Sequence, residues 1–318
     1  MGLAVEGGGL RGVVSAAMLC ALEDLGFADS FDDVYACSSG AVNAAYFLNG
    51  ATWFPLNIYF DDLTTKNFLD YRRLYRGKPV MDLDYVYDEV LARRKPLDYG
   101  QIRSSVRPLH ILVTNVSKMR REDAYPYKDD NDVRDALRAS TWLPLATYGA
   151  ANFRGQPFID GGVVQFHPYT AAVADKCTHI LSLSTKPMSH QPAVSRTNRY
   201  LVRPWLNRMR DELGDAFINS LEKDASIDKP LLRNGRMKAA SNPSILDLAP
   251  LPDDPEIRRN EAERGALIRG AGKAYRVPYA VLENEEIEPV IRFIGMAGAS
   301  TFSSNFRHGG TGDDRGSA

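Results

Sequence analysis

The sequence predicts an α/β fold with a mostly parallel central sheet, and two similar segments near the N-terminus carry this prediction. The apolar run 3–5 leads directly into three consecutive glycines, and a helical pattern follows at 13–25. The apolar run 34–37 leads into a Ser-Ser-Gly turn, and a second helical pattern follows at 41–48. Consecutive strand–turn–helix units of this kind are typical of parallel strands joined by helical crossovers.

The alternation of strands and helices continues to residue 185 and resumes near the C-terminus. Apolar runs predict strands at 109–116, 157–159, 179–184 and 245–248, and apolar residues at helical spacing predict helices at 132–139, 169–176, 211–224 and 256–275. The stretch 51–99 interrupts this alternation with many aromatic and basic residues and one helical pattern at 84–93.

The domain organisation follows from these patterns. We expect a single domain over 1–297, in which 51–99 and 186–240 are insertions or cap elements, because neither a repeat nor a linker divides the chain. Residues 298–318 are rich in glycine, serine and polar side chains and are expected to form a flexible C-terminal tail.

Composition and charge exclude several classes of protein. Apolar residues make up 44% and charged residues 25% of the 318 residues, which is typical of a globular protein. The 39 Lys and Arg residues balance 40 Asp and Glu residues, so the overall charge does not favour nucleic acid as a partner. Neither a targeting signal nor an apolar run long enough to span a membrane is recognisable. We therefore expect a cytoplasmic protein.

The cysteines point in the same direction. Cys20, Cys37 and Cys177 are widely spaced and match neither a disulfide framework nor a zinc-binding pattern. This spacing favours a reducing compartment, and no metal or cofactor is expected.

The first candidate motif is the glycine-rich turn at 7–12, which reads Gly-Gly-Gly-Leu-Arg-Gly. It satisfies the G-x-G-x-x-G pattern of a dinucleotide-binding turn. Residues without a Cβ also let backbone N–H groups approach any anion closely, so an oxyanion or a phosphate would suit this turn equally. A tight turn without a ligand is the third explanation.

The second candidate motif is the turn around Ser38. Ala36-Cys37-Ser38-Ser39-Gly40 matches the nucleophile elbow G-x-S-x-G with Ala36 in place of the first glycine. An elbow needs small flanking residues because the strand reverses into a helix within a few residues and leaves the serine exposed at the apex. Ser39 is a second candidate nucleophile, and a helix N-cap is the alternative role for Ser38.

The third candidate motif is Asp160-Gly161-Gly162, which follows a predicted strand. The carboxyl ends of strands in such a sheet converge on one crevice, so Asp160 could face Ser38 there. In isolation this sequence is also that of an ordinary turn.

In this order, the three motifs resemble those of the patatin-like phospholipase family. The segments 76–84 and 245–275 are similar to a bacterial subgroup of that family. The resemblance runs from Leu3 to about Ser184 and includes the small-residue and proline segment 139–144. It departs from the family pattern at Ala36 and at 165–168, where Gln-Phe-His-Pro replaces an asparagine-rich sequence.

The resemblance implies a three-layer α/β/α sandwich and a serine lipid acyl hydrolase acting as a phospholipase A, a lysophospholipase or a lipid esterase. Ser38 would be the nucleophile, Asp160 its general base, and the backbone N–H groups of Gly8 and Gly9 the oxyanion hole, with Arg11 supporting the loop. The remaining implied site residues support the loop, the elbow and the Asp motif: Gly7, Gly12, Ala36, Gly40, Gly161 and Gly162.

Three alternatives stay open. His167 lies close to Asp160 in sequence and is an alternative base. A nucleotide-binding oxidoreductase would use the glycine turn with Asp29 or Asp32 on the ribose, but it leaves the other two motifs unexplained. A catalytically silent lipid-binding scaffold is conceivable because of Ala36.

Two further segments bear on lipid binding. The segment 186–210 combines one lysine and five arginines with aromatic residues and has no Asp or Glu, so it could contact an anionic membrane surface from the cytoplasm or be an ordinary solvated face. The aromatic stretch 53–75 could line an acyl channel, but we expect most of it to pack as core.

Overall fold

Eight strands form one sheet in the computed structural model, which describes residues 1–143, 145–187, 189–191, 193–235, 243–254, 256–285, 287 and 293. The strands are β1 (Gly2–Val5), β2 (Asp33–Cys37), β3 (Leu109–Asn115), β4 (Arg120–Asp123), β5 (Ala151–Phe153), β6 (Gln156–Asp160), β7 (His179–Leu183) and β8 (Ser244–Leu248). Their order is β5-β6-β3-β2-β1-β7-β8, with β4 paired to β3.

The centre of the sheet is parallel and one end is antiparallel. Strands β3, β2, β1, β7 and β8 run parallel to one another, whereas β4 and β6 are antiparallel to β3, and β5 is antiparallel to β6. The prediction of a mostly parallel sheet is therefore confirmed.

Helices cover both faces of the sheet. They are α1 (Val13–Asp24), α2 (Ser39–Leu48), α3 (Trp53–Asn57), α4 (Tyr99–Ser104), α5 (Asp130–Ser140), α6 (Tyr169–Ala174), α7 (Arg203–Met209), α8 (Leu213–Lys223), α9 (Lys229–Gly235) and α10 (Arg264–Pro278). Alternate strand residues point to opposite faces. Leu3 and Val34 pack with α1, α2, α5 and α10, whereas Ala4 and Tyr35 pack with α6 and α9. This is the expected three-layer α/β/α sandwich.

The segment 51–99 is helical but irregular. After α3 it forms wide helical turns at Ile58–Asp62 and Tyr85–Arg94 and a tighter one at Tyr71–Arg76. Of its aromatic residues, Tyr59 and Phe60 are buried, whereas Tyr71 and Tyr75 are exposed. The expectation that most of 53–75 packs as core thus holds only for part of it.

One predicted helix begins later than expected. The pattern at 256–275 becomes helical only at Arg264, because the Glu263 side chain accepts the backbone N–H groups of Gly265 and Ala266 and so caps the helix there. The predicted tail at 298–318 lies outside the described residues, and the division into one domain with two insertions stays a prediction. None of the helices that the structure describes is long and apolar enough to cross a membrane.

Candidate active site

Ser38 occupies the sharp turn between β2 and α2. Its φ of 57° is the only positive φ between Ala36 and Gly40, so the strain of the turn is concentrated on the serine itself. At Gly40, a Cβ would lie 2.6 Å from the carbonyl oxygen of Val5, which explains the glycine. Ala36 lies in regular strand pairing and is fully buried, so its methyl group fits the core without distorting the elbow.

Ser140 fixes the elbow to the neighbouring strand. The N–H of Ser38 donates to the Ser140 hydroxyl at 2.8 Å, and that hydroxyl donates to the Leu112 carbonyl oxygen at 2.7 Å. Ser140 is fully buried at the end of α5. Sequence reasoning placed it only within a small-residue segment and did not reveal this contact.

Asp160 lies near Ser38 because the C-terminal ends of β6 and β2 meet along the same edge of β3. Cys37, the last residue of β2, pairs with Leu112, and Asp160, the last residue of β6, pairs with Val113. Both strands lie on the side of β3 opposite β4, because β4 pairs with Leu112 and Val113 from the other side. The ends of β2 and β6 therefore lie next to each other along β3, and an antiparallel strand brings them together.

The backbone around Asp160 is fully anchored. Its N–H donates to the Trp142 carbonyl oxygen at 3.0 Å, and its carbonyl oxygen accepts the Thr114 hydroxyl at 2.8 Å. The side-chain Oδ1 accepts the Gly162 N–H at 2.8 Å. A Cβ at Gly161 would lie 2.1 Å from the Leu112 carbonyl oxygen, so a side chain there would push the turn off β3.

The electrostatics of Asp160 suit a base. Burial raises the pKa of its carboxyl, and the Ser38 hydroxyl, the Gly162 N–H and the Arg259 charge oppose this rise only in part. Ser38 is thus close enough to influence the carboxyl, yet Oδ2 makes no hydrogen bond of standard geometry to any described residue. The Ser38–Asp160 contact is therefore loose in this structure.

The glycine turn packs directly on the elbow. A Cβ at Gly7 would lie 2.6 Å from the Cys37 carbonyl oxygen and 2.7 Å from the Ser38 Cβ. Gly8 and Gly9 have φ values of 155° and 61°, which favour glycine. The N–H of Gly8 donates to the Ser39 hydroxyl at 3.0 Å, so Ser39 holds the loop.

Buried polar residues hold the glycine turn from behind. Arg11 is 3% exposed and its Nε donates to the Thr185 hydroxyl at 3.1 Å, which in turn donates to the Gly7 carbonyl oxygen at 3.1 Å. The Thr185 N–H donates to Glu6 Oε2 at 2.9 Å. Burial and the neighbouring Arg259 charge lower the pKa of Arg11 to about 10. Arg11 thus contacts the back of the glycine turn through Thr185, and the positions of Glu6 and Thr185 beside it were not predicted.

Gly12 lies where the loop enters α1. A Cβ at this position would lie 2.3 Å from the Ser39 hydroxyl and 2.4 Å from the Tyr59 hydroxyl. Tyr59 belongs to the segment 51–99, so the loop, the elbow and that segment meet at Gly12.

Two cavities meet at Ser38. One is almost entirely apolar and is lined by Val42 of α2 and by residues of 51–99 such as Phe68, Leu83 and Val86. The other, the mixed cavity, is lined by polar and apolar residues: Glu6, Gly7, Gly8, Asp160, Phe166, Asn198, Val202 and Arg259, among others. Ser38, Gly9 and Leu143 line both cavities. Ser38 therefore lies where the apolar cavity meets the mixed cavity.

His167 is engaged elsewhere. Its Nε2 lies 2.6 Å from Asp224 Oδ1, and both side chains are 1% exposed. The His167 carbonyl oxygen accepts Arg121 at 2.9 Å. The structure thus pairs His167 with Asp224, and not with Ser38.

The acidic residues of the oxidoreductase alternative lie far from the glycine turn. Asp29 and Asp32 precede β2, and β2 runs parallel to β1 with Asp33 opposite Gly2. The glycine turn follows the other end of β1. Asp29 pairs with Arg107 and Asp32 with the N-terminal amine. Neither carboxylate can therefore reach a nucleotide bound at the glycine turn. Among the residues described, no group of three or more His, Cys, Asp or Glu side chains is placed to hold a metal ion.

Two comparisons with known proteins concern the family of the chain. The uncharacterized protein YjjU of Escherichia coli (strain K12) is 26% identical to the chain over 222 residues, which cover 69% of this chain and 58% of YjjU. The chain thus aligns with less than two thirds of the length of this relative. The model of the patatin-like phospholipase family matches residues 3–173, which include the glycine turn, the elbow and the Asp-Gly-Gly turn. The chain belongs to the patatin-like phospholipase family.

Proposed function

We propose that the protein is a serine lipid acyl hydrolase in which Ser38 is the nucleophile and Asp160 its general base. The observation that carries this proposal is the head-on meeting of β2 and β6, which brings a strained serine next to a buried carboxyl whose pKa is raised. A carboxylate with a raised pKa is a better base for a hydroxyl proton than an exposed one. Family membership supports lipid acyl hydrolysis in general.

The proposed reaction has two halves. Asp160 takes the proton of the Ser38 hydroxyl while Oγ attacks the ester carbonyl carbon, and a tetrahedral intermediate forms. The intermediate collapses, the alcohol leaves with the proton from Asp160, and the acyl group remains on Ser38. Water, deprotonated by Asp160, then attacks the acyl-enzyme and forms a second tetrahedral intermediate. Its collapse breaks the bond to Ser38 Oγ, which takes the proton back from Asp160, and releases the fatty acid.

The glycine turn would stabilise the oxyanion. Gly9 lines both cavities beside Ser38, and the amides of Gly8 and Gly9 are the proposed donors. Because the Gly8 N–H donates to Ser39, its use in the reaction requires Ser39 to release it. A single donor of this type is typically worth roughly 10²–10³ in rate.

The two cavities suggest where the two parts of an ester bind. We assign the apolar cavity to the acyl chain, because the surface that faces this cavity is almost entirely apolar. We assign the mixed cavity to the leaving alcohol, because it contains Asp160, which must protonate that alcohol.

The segment 186–210 is a proposed contact with membranes. Tyr200 and Leu201 are 70% and 63% exposed, and they lie between Asn198 and Val202, which line the mixed cavity. An exposed apolar pair beside arginines suits the headgroup region of an anionic membrane. We propose a cytoplasmic enzyme that meets membranes peripherally.

Product analysis tests this function. A mixed lipid extract is incubated with the parental protein and with Ser38→Ala, and released fatty acids and lysolipids are measured by mass spectrometry. The proposal predicts products only with the parental protein. Equal products from both proteins would contradict it, and lipid binding by the parental protein without any product would instead favour the silent scaffold.

A further inference from the structure

The hydroxyl of Ser39 occupies one of the proposed oxyanion donors. The Gly8 N–H donates to Ser39 Oγ at 3.0 Å, so this donor is not free to bind a substrate oxygen. Ser39 is the first residue of α2, and Gly8 belongs to the glycine turn. The hydrogen bond therefore links the glycine turn to α2 directly beside Ser38.

A second hydroxyl, that of Tyr59, lies next to the Ser39 hydroxyl. A Cβ at Gly12 would lie 2.3 Å from Ser39 Oγ and 2.4 Å from the Tyr59 hydroxyl oxygen, so both oxygens face the same point of the loop. The Tyr59 hydroxyl donates to Asn43 Oδ1 at 3.3 Å, and Asn43 Nδ2 donates to the Gly12 carbonyl oxygen at 2.9 Å. Burial raises the pKa of Tyr59 to about 12, and the Ser39 and Asn43 side chains oppose this rise in part. Tyr59 is thus a protonated neighbour of Ser39.

The chemistry of a hydroxyl group allows Ser39 to contact both neighbours. A serine hydroxyl donates one proton and accepts as well. Ser39 Oγ accepts from Gly8, and its own proton is available for the Tyr59 oxygen, whose proton is directed to Asn43. Rotation of the Ser39 side chain can therefore break the hydrogen bond to Gly8 without leaving the hydroxyl unpaired, because Tyr59 lies beside it.

These side chains border the apolar cavity. Ser39, Asn43 and Tyr59 are among its lining residues, together with Ser38 and Gly9. The surface that faces the cavity is almost entirely apolar, so the polar atoms of the three side chains are turned into its wall. An acyl chain that begins at an ester carbonyl on Ser38 contacts Ser39 as it enters the cavity, because the two residues are consecutive and both line it.

We propose that an acyl chain in the apolar cavity turns the Ser39 hydroxyl away from Gly8 and towards Tyr59, which frees the Gly8 N–H for the oxyanion. Ser39 and Tyr59 are then positioning residues that couple occupancy of the acyl cavity to the oxyanion hole. This inference rests on the proposed hydrolase function and adds regulation of the same site by its own substrate. Binding of the chain offsets the loss of the Ser39–Gly8 hydrogen bond, and a short-chain ester leaves that bond in place.

Two p-nitrophenyl esters of different chain length test this coupling. The acetate has no chain to fill the cavity, whereas the octanoate has one. Values of kcat and KM are measured for both esters with the parental protein, Ser39→Ala and Tyr59→Phe. Ser104→Ala and Tyr46→Phe are the matched controls, because Ser104 is exposed, Tyr46 is a buried tyrosine of α2, and neither lines the apolar cavity.

Ser39→Ala should change the kinetics of the two esters differently. With the acetate, Ser39 still holds Gly8 in the enzyme–substrate complex, so removal of its hydroxyl should raise kcat by roughly three- to tenfold, the value of one neutral hydrogen bond. With the octanoate, the chain has displaced the hydroxyl on binding, so kcat should stay within about twofold and KM should fall instead. The control variants should keep the parental values. A fall in kcat with both esters would show that Ser39 only supports the loop, and this result would overturn the proposal. An equal rise with both esters, or no change with either, would also overturn it.

Tyr59→Phe tests the second partner of the Ser39 hydroxyl. The substitution removes the phenol that receives the displaced hydroxyl, so KM for the octanoate should rise at least about threefold. In a Ser39→Ala background the same substitution should change this KM by less than about twofold, because no hydroxyl is left to displace. Equal effects of Tyr59→Phe in the two backgrounds would overturn the coupling through Tyr59.

A measurement on the parental protein applies even if Ser39→Ala does not fold. In isotope-labelled protein followed by NMR, octanoate should shift the Gly8 amide resonance, whereas acetate, which carries the same carboxylate, should not. Equal shifts with the two acids, or none with either, would overturn the proposal. If Ser38→Ala hydrolysed both esters at the parental rate, the proposed function itself would fail, which is a different outcome from any of these.

Discussion

Cys37 and Asp160 end two strands that meet on consecutive residues of β3, since Cys37 pairs with Leu112 and Asp160 with Val113. Ser38, the proposed nucleophile, directly follows the last residue of β2, and Asp160, the proposed base, is the last residue of β6. The pairing of both strands with β3 therefore sets the separation of the Ser38 and Asp160 side chains. Such placement on regular structure favours the fixed geometry that a two-residue catalytic unit needs.

Replacement of Asp160 should lower the activity of the protein without lowering its stability. Asp160→Asn removes the proposed base, and we expect turnover of p-nitrophenyl butyrate to fall by at least about 10². Because burial raises the pKa of this carboxyl, the ionised form opposes folding at neutral pH, and the variant should melt no lower than the parental protein. An active Asp160→Asn would exclude Asp160 as the base.

The pH dependence of the parental enzyme should reflect the same carboxyl. Activity requires ionised Asp160, so kcat/KM should fall as the pH drops through its pKa, which lies above the value of about 3.9 for an unperturbed aspartate. Arg259→Met removes a charge that lowers this pKa, so its acid limb should lie at higher pH. If kcat/KM of Arg259→Met fell at the same pH as that of the parental enzyme, this result would contradict an effect of the Arg259 charge on Asp160.

Ser140 should affect catalysis without touching the substrate. Ser140→Ala removes the acceptor of the Ser38 N–H and the donor to Leu112, so the elbow loses its link to β3. We expect kcat for p-nitrophenyl butyrate to fall about tenfold, the value of one buried hydrogen bond of about 1.4 kcal/mol. Ser104→Ala, an exposed helical serine, is the control. Equal kcat values in the two variants would show that the elbow does not need Ser140.

The apolar cavity should determine the preferred acyl chain. Val86→Phe fills part of that cavity with a larger ring. Each methylene that no longer fits loses about 0.8 kcal/mol of burial, so excluding two of them predicts at least a tenfold fall in kcat/KM for p-nitrophenyl palmitate relative to the butyrate. Val106→Phe, at a position that is 94% exposed, controls for the substitution. An unchanged ratio of the two esters would place the acyl chain elsewhere.

Glu6 should contribute strongly to stability. Burial alone would raise its pKa, but the charges of Lys229, His167 and Arg11 outweigh that effect and hold the pKa at about 2, below its usual 4.5. A depressed pKa stabilises the fold above pH 4.5, and this stabilisation is lost as the pH falls from 4.5 towards 2.

Denaturant unfolding at pH 7 measures this contribution. Glu6→Gln should lower the free energy of unfolding by about 3 kcal/mol, because it removes the negative charge that offsets the buried cations Lys229 and Arg11. The same variant should show a weaker loss of stability on acidification between pH 4.5 and 2. Glu89→Gln, an exposed member of an ion pair with Arg93, should change the free energy by less than about 1 kcal/mol. If Glu6→Gln and Glu89→Gln lowered the free energy of unfolding by similar amounts, Glu6 would not have the stabilising role proposed for it.

The parts of the site that depend on local sequence were predictable. The glycine turn, the elbow and the Asp-Gly-Gly turn each follow an apolar strand, and each needs small residues because a backbone passes within van der Waals distance. Such requirements leave a pattern in a few consecutive residues. The central parallel strands were predictable for the same reason, since both of their faces are buried and their sequences are apolar.

The parts that depend on long-range contacts were not predictable. Strand β4 reads Arg-Arg-Glu-Asp, and its residues are exposed or half-buried, so no apolar pattern marks it. Without β4 and the three-residue β5, the antiparallel end of the sheet could not be anticipated. Ser140, Thr185 and Arg259 reach the site through contacts between distant segments, and nothing in their local sequence distinguishes them from ordinary polar residues.

Labelling with a fluorophosphonate tests the central claim most directly. The reagent phosphonylates an activated serine, and mass spectrometry of the intact and digested protein locates the adduct. The account predicts a single adduct on Ser38 in the parental protein, together with neither adduct nor turnover of p-nitrophenyl butyrate in Ser38→Ala. An adduct on another residue, or a Ser38→Ala protein that still hydrolyses the ester at the parental rate, would contradict it.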